Sequence, residues 1–286
     1  MSSERPSETA NATEPVLSLA DLPKNPEEYL KFEKIREGAT DWEWMAICRL
    51  MARSDLYFLL RFVLSSQLAP RIKDGSGFIF DRAREFQESP DSHIDIWSRE
   101  HYKSTIITFG GSAHDIILDP EITIGIFSHT RPIAKQFLRN LKQEFERNEF
   151  LKAVFPDIFW QHPQREAPKW GEDDGIVVKR VGNPRESTVE AWGLVDGQPT
   201  SKHFKRKVYD DVVTRESVTT PEQITKTNEA WELSLSLGSE GGRDRYIGTR
   251  YHANDTYRLL IEREIATPRI YPCVEFKDGE PDLMRS

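Results

Sequence analysis

The sequence predicts an α/β domain, a mostly parallel sheet with helices on both faces, preceded by a small helical subdomain. Short β-branched segments such as His93–Trp97 (HIDIW) and Ile122–Phe127 (ITIGIF) mark strands. Segments of helical periodicity separate them. Strands that alternate with helices connect in parallel, and such a sheet is covered on both sides.

Residues 1–20 are rich in Ser, Glu, Pro, Thr and Asn, which predicts a disordered tail. A helical subdomain is expected over 21–70. Pro26-Glu27-Glu28 suits a first helical turn. Asp41 is expected to cap a second helix carrying Trp42, Met45, Ile47, Leu50 and Met51. Asp55 is expected to cap a third with Leu56, Leu59, Leu60 and Val63. Trp42 and Trp44 are expected in the core, with a contact surface as the other reading.

After a glycine-rich turn at Asp74–Gly77 the α/β core is expected over 71–270. Its first strand is His93–Trp97, followed by a helix over Lys103–Leu118 that Asp119-Pro120 ends. Next come the strand Ile122–Phe127 and a helix opened by Pro132, with Ile133, Phe137, Leu141 and Phe145 on one face. Ile176–Val181, Thr188–Trp192, Val208–Val213 and Arg245–Thr249 are further strands, and Glu222–Leu237 is a helix.

Composition narrows the function classes. Hydrophobic residues make up 37% and charged residues 30%, as in globular proteins. No apolar run approaches the roughly 18 residues that a membrane helix needs. Cys48 and Cys273 lie far apart without CxxC spacing, against a disulfide scaffold or zinc site. The net charge of −8 argues against a protein that coats nucleic acid over its whole surface, but leaves room for a local basic face.

The chemistry concentrates in HIDIW-SREHY-KST, where a strand runs through a polar loop into a helix start. That is the layout of a phosphate-binding loop, with backbone N–H groups and a helix N-terminus facing the anion. Ser98, Arg99, Glu100, His101 and Tyr102 would form the loop. Lys103 would reach the β- and γ-phosphates of ATP, Ser104 would ligate Mg2+, and Thr105 would fix the helix start. The pattern GxxxxGK[ST] lacks both glycines, whose positions hold Trp97 and Tyr102. Glycine there normally supplies positive φ and close approach to phosphate. An ordinary helix start with an exposed lysine fits the same residues.

About a hundred residues later, Val208-Tyr209-Asp210-Asp211 sets two carboxylates at a strand end. The first suits a metal ion and the second an attacking water. The preceding Phe204-Lys205-Arg206-Lys207 implies a strand that begins only at Val208 or lies near the sheet surface. A plain acidic turn is the alternative. Downstream, Tyr246-Ile247-Gly248-Thr249-Arg250 runs from a strand into a polar turn, where Thr249 would sense the γ-phosphate, a plain strand end being the alternative.

Taken in order, WSREHYKST, the stretch from FSHTRPIAKQF to FPD, the segment ending VYDDVVT, and YIGTRYHAND resemble the large terminase subunit of tailed bacteriophages, from about Arg82 to Tyr257. REFQ, with Phe86 and Gln87, is similar to that family's adenine-recognition element. The resemblance implies a RecA-like P-loop ATPase core with the N-terminal helices as a cap or lid. It implies an Mg2+-dependent motor that drives double-stranded DNA into a procapsid in the host cytoplasm. The motor would act as a homomeric ring, commonly a pentamer, on the portal protein, together with a small terminase subunit and away from any membrane. Asp211, Lys103 and Arg99 would be catalytic, Ser104 and Asp210 would hold the metal, and Thr249 and Arg250 would couple hydrolysis to movement. Arg99 would be the loop's own arginine toward the γ-phosphate, with Arg131, Arg139 and Arg250 as rivals that would reach it from a neighbouring subunit. Residues 271–286 would lead toward the family's nuclease domain, which this chain is too short to contain. A helicase-like ATPase and a non-catalytic assembly module are the competing functions.

Overall fold

The computed structural model describes residues 14–64 and 77–272, with the backbone of 275–277 and 280–282. Most of the expected tail, residues 74–76 of the glycine-rich turn, and Cys273 lie outside these residues. Cys48 is a buried free thiol whose pKa burial pushes up to about 12, as suits a core residue.

The chain opens with α1 (Leu30–Gly38), α2 (Asp41–Ser54) and α3 (Leu56–Phe58), the last continued by wide π turns over Leu59–Val63. Thr40, rather than Asp41, caps α2. Its hydroxyl accepts from Glu43 N, and the Glu43 carboxylate accepts from Thr40 N at 2.9 Å. Thr40 has the extended backbone that a cap requires, whereas Asp41 already lies in the first turn. Asp55 does cap α3, accepting from Tyr57 N and Phe58 N. Of the two tryptophans only Trp44 enters the core; Trp42 is 74% exposed.

Helix α4 (Gly77–Glu88) leads into β1 (His93–Trp97). The predicted helix from Lys103 to Leu118 forms with π turns over Thr105–Gly111 and regular α5 over Ser112–Leu118. Gly110 and Gly111 allow its close packing, because a Cβ on either would fall within 3 Å of Leu60 or Phe86. Then follow β2 (Ile124–Ser128), α6 (Arg131–Arg147), α7 (Glu149–Val154) and α8 (Pro163–Glu166). The rest of the core comprises β3 (Trp170–Gly171), β4 (Gly175–Ile176), β5 (Val189–Gly193), β6 (Phe204–Asp210), α9 (Pro221–Ser234), β7 (Gly238–Gly248), α10 (Thr256–Glu262) and β8 (Thr267–Tyr271). A hairpin of β9 (Glu275–Lys277) and β10 (Glu280–Asp282) closes the described chain.

The main sheet runs β3-β4-β5-β2-β6-β7-β1-β8. Its six strands from β5 to β8 are parallel, and β3 and β4 add an antiparallel edge. The fold is therefore α/β with a mostly parallel sheet, consistent with a Rossmann- or RecA-like core. Strand alternation feeds both faces. Ile124, Ile126, Val208 and Ile247 join one core, which also contains Leu56, Phe58, Ile106 and Leu141. Phe127, Tyr209 and Tyr246 point to the other, with Trp231 and Tyr257. The N-terminal helices thus share a continuous core with one sheet face.

Three strands differ most from expectation, among them β7, which begins at Gly238 rather than Arg245. Of the segment 176–181 only Ile176 enters the sheet, in β4. Strand β6 starts at Phe204, so the basic run lies inside a central strand. Each cation there has its own partner. Lys207 donates to Ser234 O and Leu235 O at 3.3 Å, at the C-terminal end of α9, where helix carbonyls lack partners. Arg206 pairs with Asp91 and Asp115, and Lys205 reaches Asp119.

Candidate functional site

Strand order determines which loops meet. β1 lies between β7 and β8, and β6 lies beyond β7. The segments leaving β1, β7 and β6 therefore emerge side by side at the carboxyl edge of the sheet, where ligands of such sheets bind.

From β1 the chain turns through Ser98–Tyr102. Ser98 N donates to Tyr271 O at 3.2 Å, tying the loop to the end of β8. Glu100 and Tyr102 have φ of 66° and 59°, although neither is glycine. Tyr102 occupies the glycine position before the lysine and takes the left-handed backbone that glycine would supply there. Its carbonyl accepts from Ile106 N at 2.8 Å, so the helix begins at the loop. Trp97, at the other glycine position, is instead buried in β1. Glu100 to Thr105 line an open cavity of about 500 Å3.

Lys103 is only 8% exposed. Its Nζ donates to Thr249 Oγ1 at 3.2 Å and lies 3.6 Å from Asp211 Oδ1. Ser104 Oγ donates to Asp210 Oδ1 at 3.1 Å, and Thr108, one helical turn later, donates to Asp210 Oδ2. Ser128, at the end of β2, donates to the Asp210 carbonyl at 2.5 Å. Asp210 is fully buried, and burial, then the charge of Asp211, raises its pKa above the ordinary carboxylate range. Thr108, Lys103 and Ser104 oppose that rise.

Asp211 behaves differently. With φ of 49° it leaves the strand direction, while its N–H still donates to Ile247 O at 3.0 Å. Its side chain is 40% exposed and faces Lys103. One carboxylate is thus buried against two hydroxyls and its neighbour is open to solvent beside the lysine.

The remaining predicted residues divide. Arg99 stacks its guanidinium 5.4 Å from the Tyr251 ring centroid and donates to the Tyr251 hydroxyl, so it leans toward the segment after β7. Arg250 is exposed and donates to Ala253 O at 3.1 Å. Arg139 is paired with Glu172, and Arg131 with Asp173. Phe86 and Gln87 do not join the loop. Phe86 is buried beneath Arg245, whose guanidinium is 4.8 Å from its centroid. Gln87 is spent on the α2–α3 junction, its Oε1 accepting from Leu56 N at 3.0 Å and its Nε2 donating to Ser54 O at 2.6 Å. Both hydrogen-bonding ends of this amide hold backbone rather than facing a base.

Thr108, Ser128 and Tyr251 escaped the sequence reading. The signal for Thr108 was its i,i+4 spacing from Ser104, which puts both hydroxyls on one helix face.

Among the described residues no group of three or more His, Cys, Asp or Glu could hold a metal ion. Ser104 and Asp210 nonetheless fit Mg2+, which usually binds through one or two carboxylates, substrate phosphates and water rather than an all-protein cage. No family model matches the chain, and no curated protein matches it.

Proposed function

We propose that this chain binds Mg2+–ATP and hydrolyses it, as the motor domain of a viral terminase that drives double-stranded DNA into a procapsid. The observation that carries the reading is the convergence of Lys103, Ser104, Asp210, Asp211 and Thr249 from three neighbouring strand ends. Lys103 carries the one cationic side chain of this group, and it offsets charge on the β- and γ-phosphates. Ser104 and Asp210 would hold Mg2+, which when bound would supply further neutralisation of the phosphate oxygens. Asp211, exposed and next to Lys103, orients the attacking water and takes its proton. Thr249 joins Lys103 to β7 and so registers whether a γ-phosphate has taken the lysine.

The ordered terminase-like segments support the DNA-packaging part of the reading, with a homomeric ring, a portal protein and a small terminase subunit as its partners. The biochemical core is tested by ATP turnover. Wild-type protein should release phosphate from ATP only with Mg2+, and Lys103→Ala should abolish release and weaken nucleotide binding. A Lys103→Ala variant with unchanged turnover would remove the lysine from the site and the reading with it. DNA-stimulated turnover by the assembled ring tests the motor role.

A further inference from the structure

Beside the loop lies an aromatic cluster that neither the phosphate nor the metal chemistry uses. Phe78 of α4 stands nearly perpendicular to His101 at 5.6 Å and to Tyr271 at 6.4 Å between centroids. Trp97 closes the cluster from below, 5.7 Å from Tyr271. Phe78, His101 and Tyr271 are only half-buried. His101 belongs to both features, since it also lines the cavity of Glu100 to Thr105. Its Nδ1–H donates to Arg99 O at 2.8 Å, which fixes the plane of the ring.

Arg82 completes the group. Its guanidinium lies 3.6 Å from the Tyr271 centroid and 5.6 Å from that of Phe78. Its Nε and Nη1 are buried without a hydrogen-bond partner, although Nη1 lies at ion-pair distance, 2.9 Å, from Glu85. Nη1 is thus held by the Glu85 carboxylate, and Nε alone is left without a partner, which is uncommon for a buried guanidinium nitrogen.

We infer that the half-exposed rings of Phe78 and His101, with Arg82 behind them, form the platform on which the nucleobase of the bound triphosphate stacks. The inference rests on the nucleotide-binding reading above and extends it to the base. A triphosphate held by Glu100 to Thr105 needs a surface beside the loop for its base. Aromatic rings and guanidinium planes bind bases through their π faces, whatever the base. Gln87, the residue that sequence pattern offered for base recognition, is committed to backbone. Stacking on this cluster therefore supplies base affinity, and larger purine rings gain more from it than pyrimidines.

Equilibrium binding of Mg2+–ATP, Mg2+–CTP and Mg2+–tripolyphosphate to the full chain tests this. Phe78→Leu keeps apolar volume but removes the ring, and Arg82→Gln removes the cation. Phe78→Leu should weaken ATP about fivefold or more, on the scale of base–aromatic stacking, and narrow the preference for ATP over CTP. Arg82→Gln should weaken ATP in the same direction. Tripolyphosphate affinity should be unchanged in both variants, which also reports that the loop remains folded. Unchanged ATP affinity, or an equal loss for tripolyphosphate, would overturn the platform. If the wild type binds tripolyphosphate as tightly as ATP, the platform fails while the phosphate loop stands. If it binds neither, the nucleotide reading fails.

Discussion

Lys103 and Thr249, 146 residues apart in sequence, are joined by a hydrogen bond of 3.2 Å between Nζ and Oγ1. The contact exists because β1 and β7 are adjacent parallel strands whose following loops leave at the same edge. A bound γ-phosphate would compete with Thr249 for the same ammonium. Thr249→Val removes the acceptor and keeps the shape. Among the described residues Lys103 then retains Asp211, 3.6 Å away. We expect ATP affinity equal to wild type or tighter, since the phosphate no longer displaces this hydrogen bond, and kcat lower by about tenfold, on the scale of a lost coupling contact of about 0.5–2 kcal/mol. Steady-state kinetics that separate kcat from KM provide the check, and a change in KM alone would assign Thr249 to binding.

The buried carboxylate of Asp210 makes a prediction about pH. Its folded-state pKa is raised, first by burial and then by Asp211. Folding therefore takes up a proton above the ordinary carboxylate range, and the unfolded state binds fewer protons there. Stability contributed by this residue falls as pH rises through that window. Asp210→Asn cannot ionise and should not follow this trend. Without Mg2+ or nucleotide, the melting temperature of Asp210→Asn relative to wild type should be higher at pH 8 than at pH 5. The same variant should lose Mg2+-dependent turnover. A pH-independent difference between the two melting curves would show that Asp210 is not the group that titrates.

The loop backbone supplies a third test. Tyr102 has a φ of 59°, where β-branched side chains are strongly disfavoured. Tyr102→Ile should therefore distort the turn and weaken ATP binding about tenfold, whereas Tyr102→Gly should keep it within a few-fold. In the glycine variant, relief of backbone strain worth about 1 kcal/mol partly offsets the lost ring packing. Binding assays on the two variants decide, and equal losses would mean that the tyrosine ring, not the backbone, matters.

How far the site was legible in the sequence follows from the range of the forces involved. Local signals were sufficient for β1, for the helix from Lys103 and for the acidic strand end, since β-branched runs and hydroxyl-rich helix starts act over a few residues. The start of β6 was hidden because Lys207 and Arg206 find partners on α9, Asp91 and Asp115, and only tertiary structure brings these near. The cap at Thr40 was a matter of one residue, decided by backbone angle rather than residue type. Missing glycines looked like a defect in the loop, yet Glu100 and Tyr102 adopt the left-handed backbone without them. Arg99 illustrates the opposite limit, because nothing near it in sequence announces Tyr251 as its partner.

Gln87 offers the sharpest separation between a structural and a base-reading role. Its Oε1 accepts from Leu56 N and its Nε2 donates to Ser54 O, at the junction where α2 ends and α3 begins. Gln87→Ala leaves that N–H and that carbonyl without partners in a part-buried setting. An unsatisfied buried polar group costs about 1–3 kcal/mol, so the variant should unfold at lower denaturant by that amount. The ratio of ATP to CTP affinity should stay as in wild type, because the amide does not face the loop. Chemical denaturation and nucleotide binding on one preparation give both numbers. A collapsed base preference with unchanged stability would reverse the assignment and return Gln87 to the nucleotide site.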